Sequence, residues 1–141
     1  MKTIIVGTDG TTGSGAAVAA AADLAADAGA VVHLVTACSV PVVAAGMDVV
    51  AMPLHHEVRA SQGKAVEGQA ESMRRRGIRV EVHVCDGSPA QVLCDVAETV
   101  GADVIVVGNR RMKGAGRVLG SVASKVAHKA PCSVFIAKTT G

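Results

Sequence analysis

The sequence predicts a doubly wound α/β domain, a parallel sheet covered by helices on both faces, and three observations predict it. Five short β-branched runs alternate with helical patterns, and the connections are long enough for right-handed crossovers. Hydrophobic residues make up 50% of the chain but aromatic residues only 1%, so the core must be built from Val, Ile, Leu and Ala. Small and β-branched side chains suit Ala-rich helices lying close on a buried parallel sheet. Finally, 141 residues suffice for one core without disulfide or metal support, so residues 1–141 are expected to form a single domain.

The strand-forming runs are Thr3–Thr8, Val31–Ala37, Arg79–Val84, Asp103–Val107 and Ser133–Ala137. Between the first two, Ser14–Ala28 is almost all alanine and is followed by Gly29, the residue best able to end a helix in the left-handed conformation. A second helix is expected from Val58 to Arg75, with Val58, Val66 and Met73 inward and Glu67, Glu71 and Arg74 outward. The third is the best marked. Ser88 reads as its N-cap, Pro89 fits the first helical position, and Val92, Leu93, Val96 and Val100 form one stripe before Gly101. The last helix spans Ser121 to Lys129 and stops before Pro131. Residues 39–57 read as one long, apolar, irregular connection, of the kind that covers a ligand or a partner.

Charge and composition exclude several functions. The formal net charge is +2, no basic tail is present, and with Phe135 the sole aromatic there is no stacking platform, so nucleic acid is not an expected partner. The segment Val40–Leu54 is broken by Pro41, Gly46, Asp48 and Pro53 and is too short to cross a bilayer. The opening MKTIIVGTDG enters a strand directly, without the apolar helix and cleavage site of a secretory leader, so a cytoplasmic location is expected. Cys38, Cys85, Cys94 and Cys132 have no C-x-x-C spacing and read as reduced, buried thiols. His33 and His83 read as strand residues and His55-His56 as part of the irregular connection, so spacing assigns no metal site.

Ligands of open α/β sheets sit beyond the C-terminal strand ends where the winding reverses. Two glycine-marked strand exits meet that description, Val6–Gly15 (VGTDGTTGSG) and Val106–Val122 (VVGNRRMKGAGRVLGSV). The second places Arg110, Arg111, Lys113 and Arg117 in a loop free of acidic residues and then opens a helix at Gly120-Ser121. Exposed N–H groups and a positive helix end favour a phosphate there, with the Ser121 hydroxyl able to cap the helix and to reach a phosphate oxygen.

The opening VGTDG, the run GADVIVVGN, the segment GRVLGSVASKV and the ending HKAPCSVFIA together resemble the universal stress protein family over essentially the whole chain. That resemblance implies a Rossmann-like five-stranded sheet of order 3-2-1-4-5, and an adenine nucleotide, ATP with Mg²⁺, held between the loops after strands one and four. It further implies contacts from Gly7, Thr8 and Asp9 to adenine and ribose, a contribution from Ala37, and phosphate contacts at Gly108, Gly120, Ser121 and the adjoining Val122. Asp9 would help hold the magnesium through water, or else act only as a turn-forming residue. Two departures from the family's nucleotide-binding motif stand out. Arg111 replaces its second glycine, and eight residues (Met112–Leu119) rather than nine precede Gly120. Arg111 either blocks the close backbone approach that glycine permits, or joins Arg110 and Lys113 in supplying charge to the phosphates.

Three function classes follow. The first is a nucleotide-binding stress-response regulator, with hydrolysis slow at most because no catalytic base is evident. The second is a non-ATP-binding universal stress protein acting as a dimeric interaction module, its last strand pairing across a two-fold axis. The third, an enzyme on the same architecture, lacks its markers. TDGTTGSG is not a pyrophosphatase phosphate loop, and Asp9 lacks the acidic partner of a phosphoacceptor domain.

Overall fold

The computed structural model describes residues 1–10, 14–38, 48–109 and 119–138, with side chains outside 48–59. In chain order the elements are β1 (Thr3–Gly7), α1 (Gly15–Ala28), β2 (Val31–Cys38), α2 (Asp48–Arg75), β3 (Val80–Asp86), α3 (Pro89–Val100), β4 (Val104–Asn109), α4 (Ser121–Lys129) and β5 (Ser133–Lys138). The strands form a five-stranded sheet of order β3-β2-β1-β4-β5, as the resemblance implied. Every neighbouring pair is parallel.

Alternation along the strands sorts the apolar residues into two cores. Ile4, Val6, Val32 and Leu34 face α1 and α2, meeting Ala17, Ala21 and Ala25 of one and Val66, Ala70 and Met73 of the other. Ile5, Val35, Ile105 and Val107 face the opposite way, onto Ala90, Leu93 and Ala97 of α3 and Ala123 and Val126 of α4. Ile4, Ile5 and Val6 of the central strand are all fully buried. Each such side chain contributes about 1.5–3 kcal/mol through removal from water. Helices α1 and α3 end at Gly29 and Gly101, both left-handed at φ 65°.

Several local expectations need correction. Helix α2 starts at Asp48 rather than Val58, so residues 48–57, expected to be irregular, are helical, and the rest of that expected connection, 39–47, lies outside the described residues. Pro53 falls in the second turn of this helix, where it removes one backbone N–H while its neighbours continue the helix. Ser88 occupies the N-cap of α3 but its side chain makes no capping bond. At α4 the N-cap is Gly120 and Ser121 is the first helical residue, so Ser121 does not cap. Strand β4 runs two residues past Val107, taking in Gly108 and Asn109, which pair with Ala137 and Lys138.

Candidate nucleotide-type crevice at the switch point

Strand β1 is followed in the sheet by β2 on one side and β4 on the other, so the connections leaving β1 and β4 diverge above the C-terminal strand ends. A cavity of about 300 Å³ opens there. Gly7, Val35, Ala37, Val107 and Gly108 contribute from the strands, Pro89 and Leu93 from the start of α3, Ser121 and Val122 from the start of α4, and Thr8, Asp9 and Ser14 from the first connection. The walls are therefore largely aliphatic, with hydroxyls and one carboxylate at the edge. Two helix N-termini meet this space, and each carries partial positive charge from its unpaired N–H groups.

Glycine at position 7 leaves the floor open for the Leu93 side chain. A Cβ there would lie 2.9 Å from Leu93 Cδ1, inside van der Waals contact. Immediately after it, Thr8 ties the first connection to its surroundings. Its backbone N–H donates to the Val35 carbonyl at 2.9 Å. Its hydroxyl donates to Gln69 Oε1 at 2.8 Å and accepts from the Gly10 N–H at 3.0 Å. With the single hydroxyl proton given to Gln69, Ser14 Oγ at 2.6 Å is the donor to Thr8. Thr8 thus shapes the loop from beneath while Asp9 borders the cavity.

On the other side, Asn109 is fully buried and its Oδ1 accepts the Gly120 N–H at 3.0 Å. That bond joins the end of β4 to the N-cap of α4 and closes the connection between them. It also occupies one of the N–H groups at the start of α4.

The profile described as the Universal stress protein family matches residues 1–138. The chain belongs to that family. A universal stress protein of Mycobacterium tuberculosis is 33% identical over 156 residues, an overlap that covers 99% of this chain and 97% of the relative. Among solved universal stress proteins, one described as a complex with cAMP is 29% identical, with TM-score 0.68 and coverage of 99% and 98% of the two chains. The universal stress protein UspA from Lactobacillus plantarum, 22% identical, superposes with TM-score 0.85 over 96% of this chain and 97% of that one, which shows the shared fold.

Of the residues singled out in this universal stress protein from sequence, Gly7, Thr8, Asp9, Ala37, Gly108, Ser121 and Val122 all border the one cavity. Gly120 stands beside it, engaged by Asn109. Arg110 and Arg111 lie outside the described residues, as do Lys113, Gly114, Gly116 and Arg117. Sequence reasoning missed Ser14, Val35, Pro89, Leu93 and Val107 as lining residues. Period-two alternation from Ala37 leads to Val35, and helical spacing links Pro89 with Leu93, so those signals were present. Asn109 carried no such signal, because its partner is eleven residues away in the sequence.

His33 and His83 lie on β2 and β3, as expected, and the register of these strands places the neighbouring cysteines. Ala37 pairs with Cys85 and Cys38 with Asp86, so Cys38 and Cys85 point to opposite faces of the sheet. Cys38 instead donates through Sγ to Gln62 Oε1 at 2.7 Å. His33 and His83, fifty residues apart, come within hydrogen-bonding distance, with His33 Nδ1 and His83 Nε2 separated by 2.9 Å. Burial lowers the pKa of His33, the His83 ring lowers it further, and Glu81 opposes both.

Proposed function

We propose that this universal stress protein is a nucleotide-responsive regulator that binds an adenine nucleotide, ATP with Mg²⁺, in the crevice between the connections after β1 and β4. The observation that carries this reading is the convergence of Gly7, Asp9, Gly108 and Ser121 on one aliphatic-walled cavity at the switch point. The adenine would lie among Val35, Leu93 and Val107, the ribose beside Asp9, and the phosphates against the start of α4, where Ser121 presents its hydroxyl. Arg110 and Arg111 would meet the phosphates from the intervening connection. Bound magnesium would neutralise phosphate charge, with Asp9 its nearest carboxylate partner through water. Among the described cavity residues no second carboxylate accompanies Asp9, which favours holding the nucleotide over hydrolysing it.

A cyclic adenine nucleotide is the second reading, favoured by the 29% identical universal stress protein solved with cAMP. Arg111 in place of the family's second glycine, and a connection one residue shorter, would suit a single cyclic phosphate better than a triphosphate. Nucleotide occupancy would be transmitted by changing how two copies associate through β5.

Calorimetry on the nucleotide-free protein separates these readings. Saturable one-to-one binding of Mg-ATP, weakened about 10- to 100-fold in Ser121→Ala and in Asp9→Ala, supports the first; the range corresponds to loss of one charge-assisted hydrogen bond. Saturation by cAMP but not by ATP selects the second. No binding of either at millimolar concentration overturns both and leaves the interaction-module function.

A further inference from the structure

We propose that His33, Glu81 and His83 form a binding site for a divalent transition-metal ion of the zinc type, separate from the nucleotide crevice. The register of β2 and β3 sets His33 opposite Glu81 and Val35 opposite His83. The three residues therefore stand at alternate positions on one face of two adjacent strands. His33 Nδ1 lies 2.9 Å from His83 Nε2 and 3.3 Å from Glu81 Oε2, and one ligand atom from each residue falls within 4.8 Å of the others. Ligand atoms around a tetrahedral zinc are about 3.3 Å apart, so these atoms need only small adjustments to surround an ion.

Hydrogen bonding alone serves this cluster poorly. One proton on His33 Nδ1 must be shared between an imidazole nitrogen and a carboxylate oxygen, and with the proton on His83 instead, the Nδ1 lone pair faces the carboxylate. A single cation would satisfy all three electron-rich atoms together. Two imidazoles and one carboxylate select zinc and its first-row neighbours over magnesium or calcium, which take oxygen ligands. His33 is buried, His83 half-buried and Glu81 exposed, so an ion would have a buried ligand on one side and a route from solvent on the other. Because β3 is an edge strand, the ion would staple it to β2.

The test uses the full chain, freed of metal and kept reduced. Zinc is titrated against a chromogenic chelator, cobalt(II) serves as a spectroscopic substitute, and the thermal midpoint is read with and without zinc. The expected result is one equivalent of zinc, a tetrahedral-type cobalt spectrum without a thiolate charge-transfer band, and a raised midpoint. His83→Gln should weaken zinc binding at least about 100-fold, beyond what loss of an outer-shell partner costs, and abolish the midpoint shift. Glu81→Gln, at an exposed position, should weaken it while leaving the circular dichroism of the fold intact. Cys85→Ser, the next residue along that face of β3, should change nothing. Undiminished binding in His83→Gln, loss of binding only in Cys85→Ser, a thiolate band, or no wild-type binding at micromolar zinc would each overturn the proposal.

Discussion

Thr8 shows how much a single side chain can organise. Its hydroxyl satisfies groups from Gly10, Ser14 and Gln69 in a partly buried setting where water cannot easily replace it. Thr8→Val keeps the shape and removes every one of those bonds. We expect a loss of about 1–3 kcal/mol in urea unfolding, the cost of leaving buried polar partners unmet, together with weaker nucleotide binding from a looser first connection. Gly7→Ala should behave in the opposite proportion. The new methyl meets Leu93 Cδ1 at 2.9 Å, and Leu93 borders the cavity, so the leucine can yield by moving into that space. Stability should fall modestly, by about 1 kcal/mol, while calorimetry shows the larger defect in affinity. Asn109 was invisible as a site-shaping residue because its role depends on a backbone group eleven residues further along, and local pattern holds no record of that.

Among the elements, the regular ones were legible for simple reasons. Strand runs of Val and Ile, alanine-rich α1, the α3 stripe and the terminal glycines each express one local preference, and all agree. The start of α2 was not legible, because Pro53 reads as a break when viewed without the rest of the helix. The junction of β1 and β4 adds a testable pH effect. Asp103 accepts the N–H groups of Lys2 and Thr3 at 2.7 and 2.9 Å, and these bonds lower its pKa. The folded state therefore prefers the ionised carboxylate. Its stabilising contribution is present above the unfolded carboxylate pKa of about 3.9 and is lost as pH falls through the lower folded value. Asp103→Asn should lower the thermal midpoint near neutrality and flatten its acid-side decline below about pH 4, relative to wild type.

For the whole molecule, sheet order and the place of the crevice followed from the resemblance and from the rule for open sheets, whereas the His33–Glu81–His83 grouping emerged only once the register of β2 and β3 was known. The two sheet edges are β3 and β5. Phe135 and Ile136 of β5 are 42% and 36% exposed, an apolar edge of the kind that a second copy would cover. If β5 is the dimer contact, Ile136→Lys should shift sedimentation from dimer to monomer without altering the circular dichroism spectrum. An unchanged oligomeric state, or a monomeric wild type, would count against a dimer through β5.

Helix α2 and the sheet differ in length, and that mismatch shapes how the molecule meets its surroundings. Twenty-eight helical residues span about 42 Å, whereas the eight residues of β2 span about 26 Å. Gln69 already touches Thr8, just past the end of β1, and Gln62 touches Cys38, the last residue of β2. The fourteen residues from Asp48 to Ser61, about 21 Å of helix, must then extend past the rim of the sheet on the side where the crevice opens. Turns that project in this way should lengthen the maximum dimension measured by small-angle scattering beyond that of the sheet and its shorter helices.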